Sequence, residues 1–161
     1  GLVYDRRRFG VATPGSDHVE VWLCDALHLP FADATFALAT SMNLLDCVAD
    51  PHAALVETGR VLRADGEALI ALPFDWTDHV TPAARWLGGH SQRGPHAGRA
   101  EDVLDALLGE AELSLGTLRA AGAGIDVPWH VRLHERSCMH YTCRVVAARR
   151  IRPGDITSRV D

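Results

Sequence analysis

The chain alternates short apolar runs with polar punctuation, and the runs fall into two periods. Val19-Glu20-Val21-Trp22-Leu23-Cys24 is rich in β-branched and aromatic residues and ends at Asp25, which predicts a strand. Leu29-Pro30-Phe31-Ala32-Asp33 is a loop, and Phe36 to Thr40 is short and apolar enough for a buried strand, with Ser41-Met42-Asn43 at its carboxyl end. Asp50-Pro51 has the form of a helix start, an acidic N-cap followed by a proline whose missing N–H costs nothing there. Ala54, Leu55, Thr58, Val61 and Leu62 then recur at helical spacing, and the helix is expected to stop near Ala64-Asp65-Gly66, with Gly66 taking a left-handed conformation. Ala68 to Leu72 predicts a second buried strand, closed by Pro73. A full helix between two apolar strands predicts a parallel α/β sheet.

Later signals are weaker. Gly88 to His96 is too rich in glycine and histidine to be regular. Glu101 to Leu108 predicts an amphipathic helix with Val103, Leu104, Leu107 and Leu108 on one side. Strand signals follow near Val127–Leu133 and Tyr141–Ala148, and residues after Arg149 read as a tail. There are no internal repeats.

Length and apolar content suit one domain with a sizeable core. The first residue is Gly1, which suggests a processed, engineered or excerpted start. No apolar run approaches the roughly 18 residues that cross a bilayer, and no signal peptide is apparent. The net charge of −5, with basic residues scattered apart from Arg6, Arg7 and Arg8, argues against nucleic acid as a partner. All sixteen basic residues are arginine, which removes P-loop and Schiff-base lysine chemistry. The four cysteines lack CxxC spacing, so a reduced, cytoplasmic setting is expected. Cys138, His140 and Cys143 form a conceivable metal set. Strand alternation turns Cys143 away from the other two, so no metal site is expected.

Two places carry chemical weight. Asp25-Ala26 lies at a strand's carboxyl end, where open α/β sheets bind ligands. An acid beside an exposed backbone N–H offers an acceptor and a donor to one edge of a purine, although an acid there also caps a turn well. The second place is the whole run from Asp25 to Leu72, namely Asp25-Ala26-Leu27-His28-Leu29-Pro30-Phe31, Asp33, Phe36, Leu44 to Pro51, and Leu55 to Gly66. In this order and spacing the run resembles the class I S-adenosylmethionine-dependent methyltransferases, a family that includes small-molecule and quinone-biosynthetic enzymes.

The resemblance implies a Rossmann-like α/β sheet, mostly parallel, with an antiparallel strand near the C-terminus. Residues 1–150 would be the C-terminal part of that domain and 151–161 its tail. S-adenosyl-L-methionine would be the cofactor, with Asp25 on the adenine amino group and Ala26 on the ring through its backbone. Ser41, Met42 and Asn43 would line the cofactor and substrate side of the next strand end. The family often carries a His-His pair where this chain has Asp46-Cys47. Asp75, Trp76, Trp86, His90 and His96 fall where the family places substrate-contacting segments, and the Gly88–Gly98 loop would form a mobile cover. For the two histidines an ordinary loop position is the plainer reading, and for the tryptophans packing is. Methyl transfer needs alignment more than acid–base equipment, so no catalytic residue is singled out.

One departure matters. The family opens on a strand, a GxGxG turn, a helix and a second strand ending in an acid for the ribose, and no GxGxG occurs here. Asp5, after Leu2-Val3-Tyr4, is a candidate for that acid. The interval to Asp25 contains Pro14-Gly15 and is too broken for the helix, so a short strand and turn is preferred. The family's strand order, 3-2-1-4-5-7-6, would put the two missing strands between the Val19–Cys24 and Phe36–Thr40 strands. The chain alone is then expected to bind the cofactor weakly or not at all, and to self-associate through the incomplete sheet or stay partly unfolded. Two functions stand against each other: methyl transfer to a small molecule, and a non-catalytic binding or assembly module derived from such an enzyme.

Overall fold

The computed structural model describes residues 8, 10, 13–89, 91–109 and 115–151. Strands β1 (Phe36–Met42) and β2 (Leu62–Leu72) are parallel, joined by helix α1 (Pro51–Val61). Helix α2 (Ala100–Leu107) follows, then β3 (Leu118–Ala120), β4 (Ile125–His134) and β5 (Ser137–Arg150). β5 runs antiparallel to β2, and its other edge carries β3 and β4 in succession. The sheet is therefore mixed α/β, with its antiparallel strand at the C-terminal end, as the Rossmann-like expectation requires.

Cross-strand partners share a face, so the register sorts the two sides of the sheet. Ser41, Ile70 and Val146 lie in one row and are all buried, as is Ala68 opposite Ala148. This face packs with Leu55, Leu104, Leu107 and Leu108 from the two helices. The next row, Met42, Ala71, Val145 and Ile125, lies on the opposite face. Its ends are open: Met42 is 49% exposed and Ile125 is 61% exposed. Among the described residues the helices cover one face alone.

Three expectations need correction. The run Val19–Cys24 joins no ladder, and its side chains stand in solvent, Val21 at 94% exposure. High strand propensity cannot hold a strand that has no neighbour, because its backbone groups are then answered by water instead. The helix ends earlier than expected, at Val61, and the chain enters β2 at Leu62, which pairs with Phe36. Gly66 does not take the left-handed conformation. Asp65 does, at φ 61°, inside a bulge where the β1–β2 register jumps between Phe36 and Leu38. A glycine is still required at 66, since a Cβ there would sit 2.8 Å from the Arg63 carbonyl oxygen. Residues 1–7, with Asp5 and the Leu2–Tyr4 run, and residues 152–161 lie outside the described residues.

Gly59 lets α1 approach the strand edge. A Cβ there would lie 2.7 Å from Thr117 Oγ1 and 2.8 Å from its Cβ. Alanine would gain helix propensity worth ~1 kcal/mol, yet overpacking against a branched side chain costs about 1–3 kcal/mol. Gly59→Ala is expected to lower the urea midpoint. An unchanged or raised midpoint would show that Thr117 yields freely.

Candidate functional site

The site is built where β1 and β2 end. Asp50 caps α1, its Oδ1 accepting the Ala53 N–H at 3.0 Å, and Arg85 binds its other oxygen. At the far end of α1, where β1 and β2 begin, Glu57 and Arg60 reach over the loop that follows Asp25. Glu57 Oε1 accepts the Leu29 N–H at 2.7 Å, while Arg60 donates to the Leu29 and Phe31 carbonyls and to Asp33. Arg60 also pairs with Glu57 through two donors. The guanidinium holds the Glu57 carboxyl below its ordinary value, aided by the Leu29 N–H and opposed by burial. This latch gives the Glu-x-x-Arg spacing of α1 a physical meaning that the sequence pattern alone did not supply.

Asp25 caps its own turn. Its Oδ1 accepts the Leu27 N–H at 2.9 Å and its Oδ2 lies 3.2 Å from His28 Nδ1, contacts that hold the carboxyl below its usual range. Ala26 beside it is half-buried. Ser41 lies at the end of β1 with its hydroxyl buried and without a hydrogen-bond partner. Met42 points to the open face, and Asn43, at φ 52°, turns the chain and accepts from the Cys143 thiol at 3.7 Å.

A second layer of contacts fixes the segment after β2. Asp46 is buried, and its Oδ2 accepts the Asp75 N–H at 2.9 Å. Thr81, fully buried, donates to the Val48 carbonyl at 2.6 Å. Asp46, where the family often carries a histidine, is therefore a structural brace. Asp75 accepts the Tyr141 hydroxyl at 2.7 Å across 66 positions of sequence. That bond raises the Tyr141 hydroxyl above its ordinary value. Tyr141 was not among the sequence candidates, because nothing local to it points at Asp75.

The remaining candidates separate. Trp76 stacks on Trp86 at 6.2 Å and packs against the core, with its indole N–H buried and unpartnered. His96 is exposed in a left-handed conformation, at φ 56°. His90 lies outside the described residues. The loop is tied at its base by Gly89 N–H on the Gly98 carbonyl, and it lines a cavity of about 340 Å³ with Phe74, Glu101, Asp126 and Arg144. Cys138 and His140 share one face of β5, and Cys143 lies on the other. No helix among the described residues is long and apolar enough to cross a membrane.

Residues 5–70 match the family described as methyltransferase domain. Over this segment the chain is similar to that family. The match spans the Asp25 loop, β1, α1 and most of β2, so the latch and the carboxyl end of β1 both lie within the matched segment. Two solved structures share the fold over 84% of the chain. One is described as the conversion of a disulfide bond into a thioacetal group during echinomycin biosynthesis, with TM-score 0.52, 15% identity and 56% of that chain covered. The other is the [4+2]-cyclase SpnF, with TM-score 0.51, 17% identity and 57% of that chain covered. An S-adenosylmethionine-dependent methyltransferase from Methanosarcina mazei aligns at 20% identity and TM-score 0.45, over 79% of this chain and 65% of its own. This chain thus spans between 56% and 65% of their lengths. No curated protein matches the sequence.

The latch carries a pH signature. Glu57 has a folded value below its ordinary 4.5, so its contribution is complete above that value and lost as pH falls through the folded one. Thermal unfolding of the native chain and Glu57→Gln is expected to differ most near neutral pH and to converge under acid. A gap that stays constant on acidification would show that the Glu57 charge does no holding.

Proposed function

We propose that the chain is the later part of a methyltransferase domain that transfers a methyl group from S-adenosyl-L-methionine to a small molecule. The observation that carries this reading is the buried Ser41 hydroxyl at the carboxyl end of β1, within the segment that matches the family. Ligands of open α/β sheets bind at such ends. The unpartnered Ser41 hydroxyl, buried at that end, suits a group that brings its own donor or acceptor. Asp25 and Ala26 would hold the adenine edge, and Ser41, Met42 and Asn43 the side facing the acceptor. When bound, the cofactor supplies a methyl group already activated by its sulfonium. The chain's own work is to align the acceptor and exclude water. The four free cysteines, three of them exposed, suit a reducing cytoplasmic setting.

A second reading has its own support. The Asp25 carboxylate is engaged by Leu27 and His28, and Val19–Cys24 has no strand to pair with. Both features suit a non-catalytic module, or a domain completed by further chain. In either case this length alone exposes the free edge of β1 and an apolar sheet face, features that invite pairing with another chain.

Titration of S-adenosylhomocysteine into the purified 161-residue chain, with light scattering on the same sample, is expected to show weak or no binding together with self-association. A compact monomer binding at micromolar concentration would overturn the incompleteness argument. In a length of chain that does bind, Asp25→Ala is expected to weaken S-adenosylhomocysteine about tenfold, the effect of losing one charge-assisted partner. Unchanged affinity would remove Asp25 from the adenine site.

A further inference from the structure

The β4–β5 hairpin overhangs the parallel strands. Leu72 pairs with Arg144 as the last rung between β2 and β5, and the hairpin continues to His134 and Ser137. Tyr141 is three residues beyond that rung, roughly 10 Å past the end of β2 at ~3.3 Å per residue. Its ring stacks on Trp129 across the hairpin, centroids 5.2 Å apart and planes 26° from parallel. Met139 flanks the pair, its sulfur 3.6 Å from the Tyr141 hydroxyl, and Val127 and Val131 continue the same face of β4. Trp129, Val127 and Met139 are each more than one-third exposed. A stacked aromatic wall therefore rises from the strand ends, and the carboxylate of Asp75 sits at its foot.

That carboxylate is held, aimed and only partly engaged. Asp46 fixes its backbone N–H from below, and Tyr141 occupies Oδ2. Among the described residues Oδ1 has no hydrogen-bond partner. The negative field here is shared by several groups. Asp46 and Asp75 together push Tyr141 and the Cys47 thiol upward, after the hydrogen bond and burial respectively, and Asp46 does the same to Cys143. Among the described residues no arginine pairs with either acid. Arg144, the nearest on the hairpin, is bound to Asp105 and Asp126 on the opposite face. That opposite face also holds the 340 Å³ cavity, where Arg144 pairs with Asp126 and Arg99 with Asp102.

We propose that Trp129 and Tyr141 form the platform on which a planar aromatic amine lies, with its nitrogen turned toward Asp75. This deepens the methyl-transfer reading and rests on it for the reaction, not for the binding. A face of Trp and Tyr beside a carboxylate attracts an ammonium through both the ring quadrupole and the ion pair. The same field repels a carboxylate or phosphate acceptor. Asp75 is the specificity-determining residue, and Asp46 is a positioning residue that acts through the Asp75 backbone.

Binding is tested with tyramine and with tyrosol, which keeps the ring and chain but replaces the amine by a hydroxyl. Calorimetry on the chain is expected to give tyramine at least fivefold tighter than tyrosol. Asp75→Asn should level the two, and Trp129→Leu should weaken both, with Trp129→Phe restoring much of the loss because it restores stacking. Circular dichroism on each variant separates lost binding from lost folding. Tyrosol equal to or tighter than tyramine, or full affinity in folded Trp129→Leu, would overturn the proposal. S-adenosylhomocysteine is titrated in parallel in a length of chain that binds it. Amine binding that survives where no length binds S-adenosylhomocysteine removes the methyl-transfer reading and keeps the platform, whereas the converse removes the platform alone.

Discussion

The site depends on one interaction, the reach of Glu57 and Arg60 from α1 to the loop after Asp25. The apolar residues of this loop are at most half-buried, so the entropy of ordering it is offset in large part by specific bonds. Arg60 supplies donors to two backbone carbonyls and two carboxylates at once. A planar guanidinium does this with little further loss of freedom, which a lysine could not match. The consequence is that Leu29, Phe31 and Asp33 are fixed to the same helix that joins β1 and β2. Phe31 then packs edge-on against Phe36, at 4.9 Å, so the loop and the first turn of β1 move as one piece. The latch therefore connects local helix chemistry to the point where the chain enters β1.

Parts of this were legible in the sequence for reasons that can be named. Asp50-Pro51 marked the start of α1 because capping is local chemistry, and the Ala53 N–H meets Asp50 as that signal implies. β2 and α2 were legible because a buried run and a helical stripe are set by the core they face. β1, expected to be buried, is instead an edge strand among the described residues, with Leu38 57% exposed. Val19–Cys24 misled because its propensity is real while its neighbour is not among the described residues. The end of α1 misled because Leu62 gains more from burial and pairing with Phe36 than from another helical turn. The Tyr141–Asp75 bond was out of reach, since only the fold brings those positions together. Asp46 showed the same limit: a polar residue in an apolar stretch gives no hint of which N–H it will receive.

The open face of the sheet bears on both readings of function. Met42 and Ile125 stand at the two ends of a row whose centre, Ala71, is buried. A sheet of this class is ordinarily covered on both sides. The same face carries Trp129 and Tyr141 where the hairpin rises past the strand ends. A cover on this side, whether further chain or a partner, would close the space above Asp75 and turn an exposed wall into a cleft. Alignment and exclusion of water, the two demands of methyl transfer, would then be met by the same event.

The central claim is that the latch, and not the loop itself, holds the loop after Asp25 against α1. Amide hydrogen exchange at Leu29, compared between the native chain and Arg60→Leu, tests it most directly. Leu29 donates to Glu57 and should exchange slowly in the native chain. Without Arg60 it should exchange as fast as an open loop, while Ala54 within α1, bonded to Asp50, stays protected. Slow exchange at Leu29 in a folded Arg60→Leu chain would mean that the loop holds its place unaided, and the account built on the latch would be wrong.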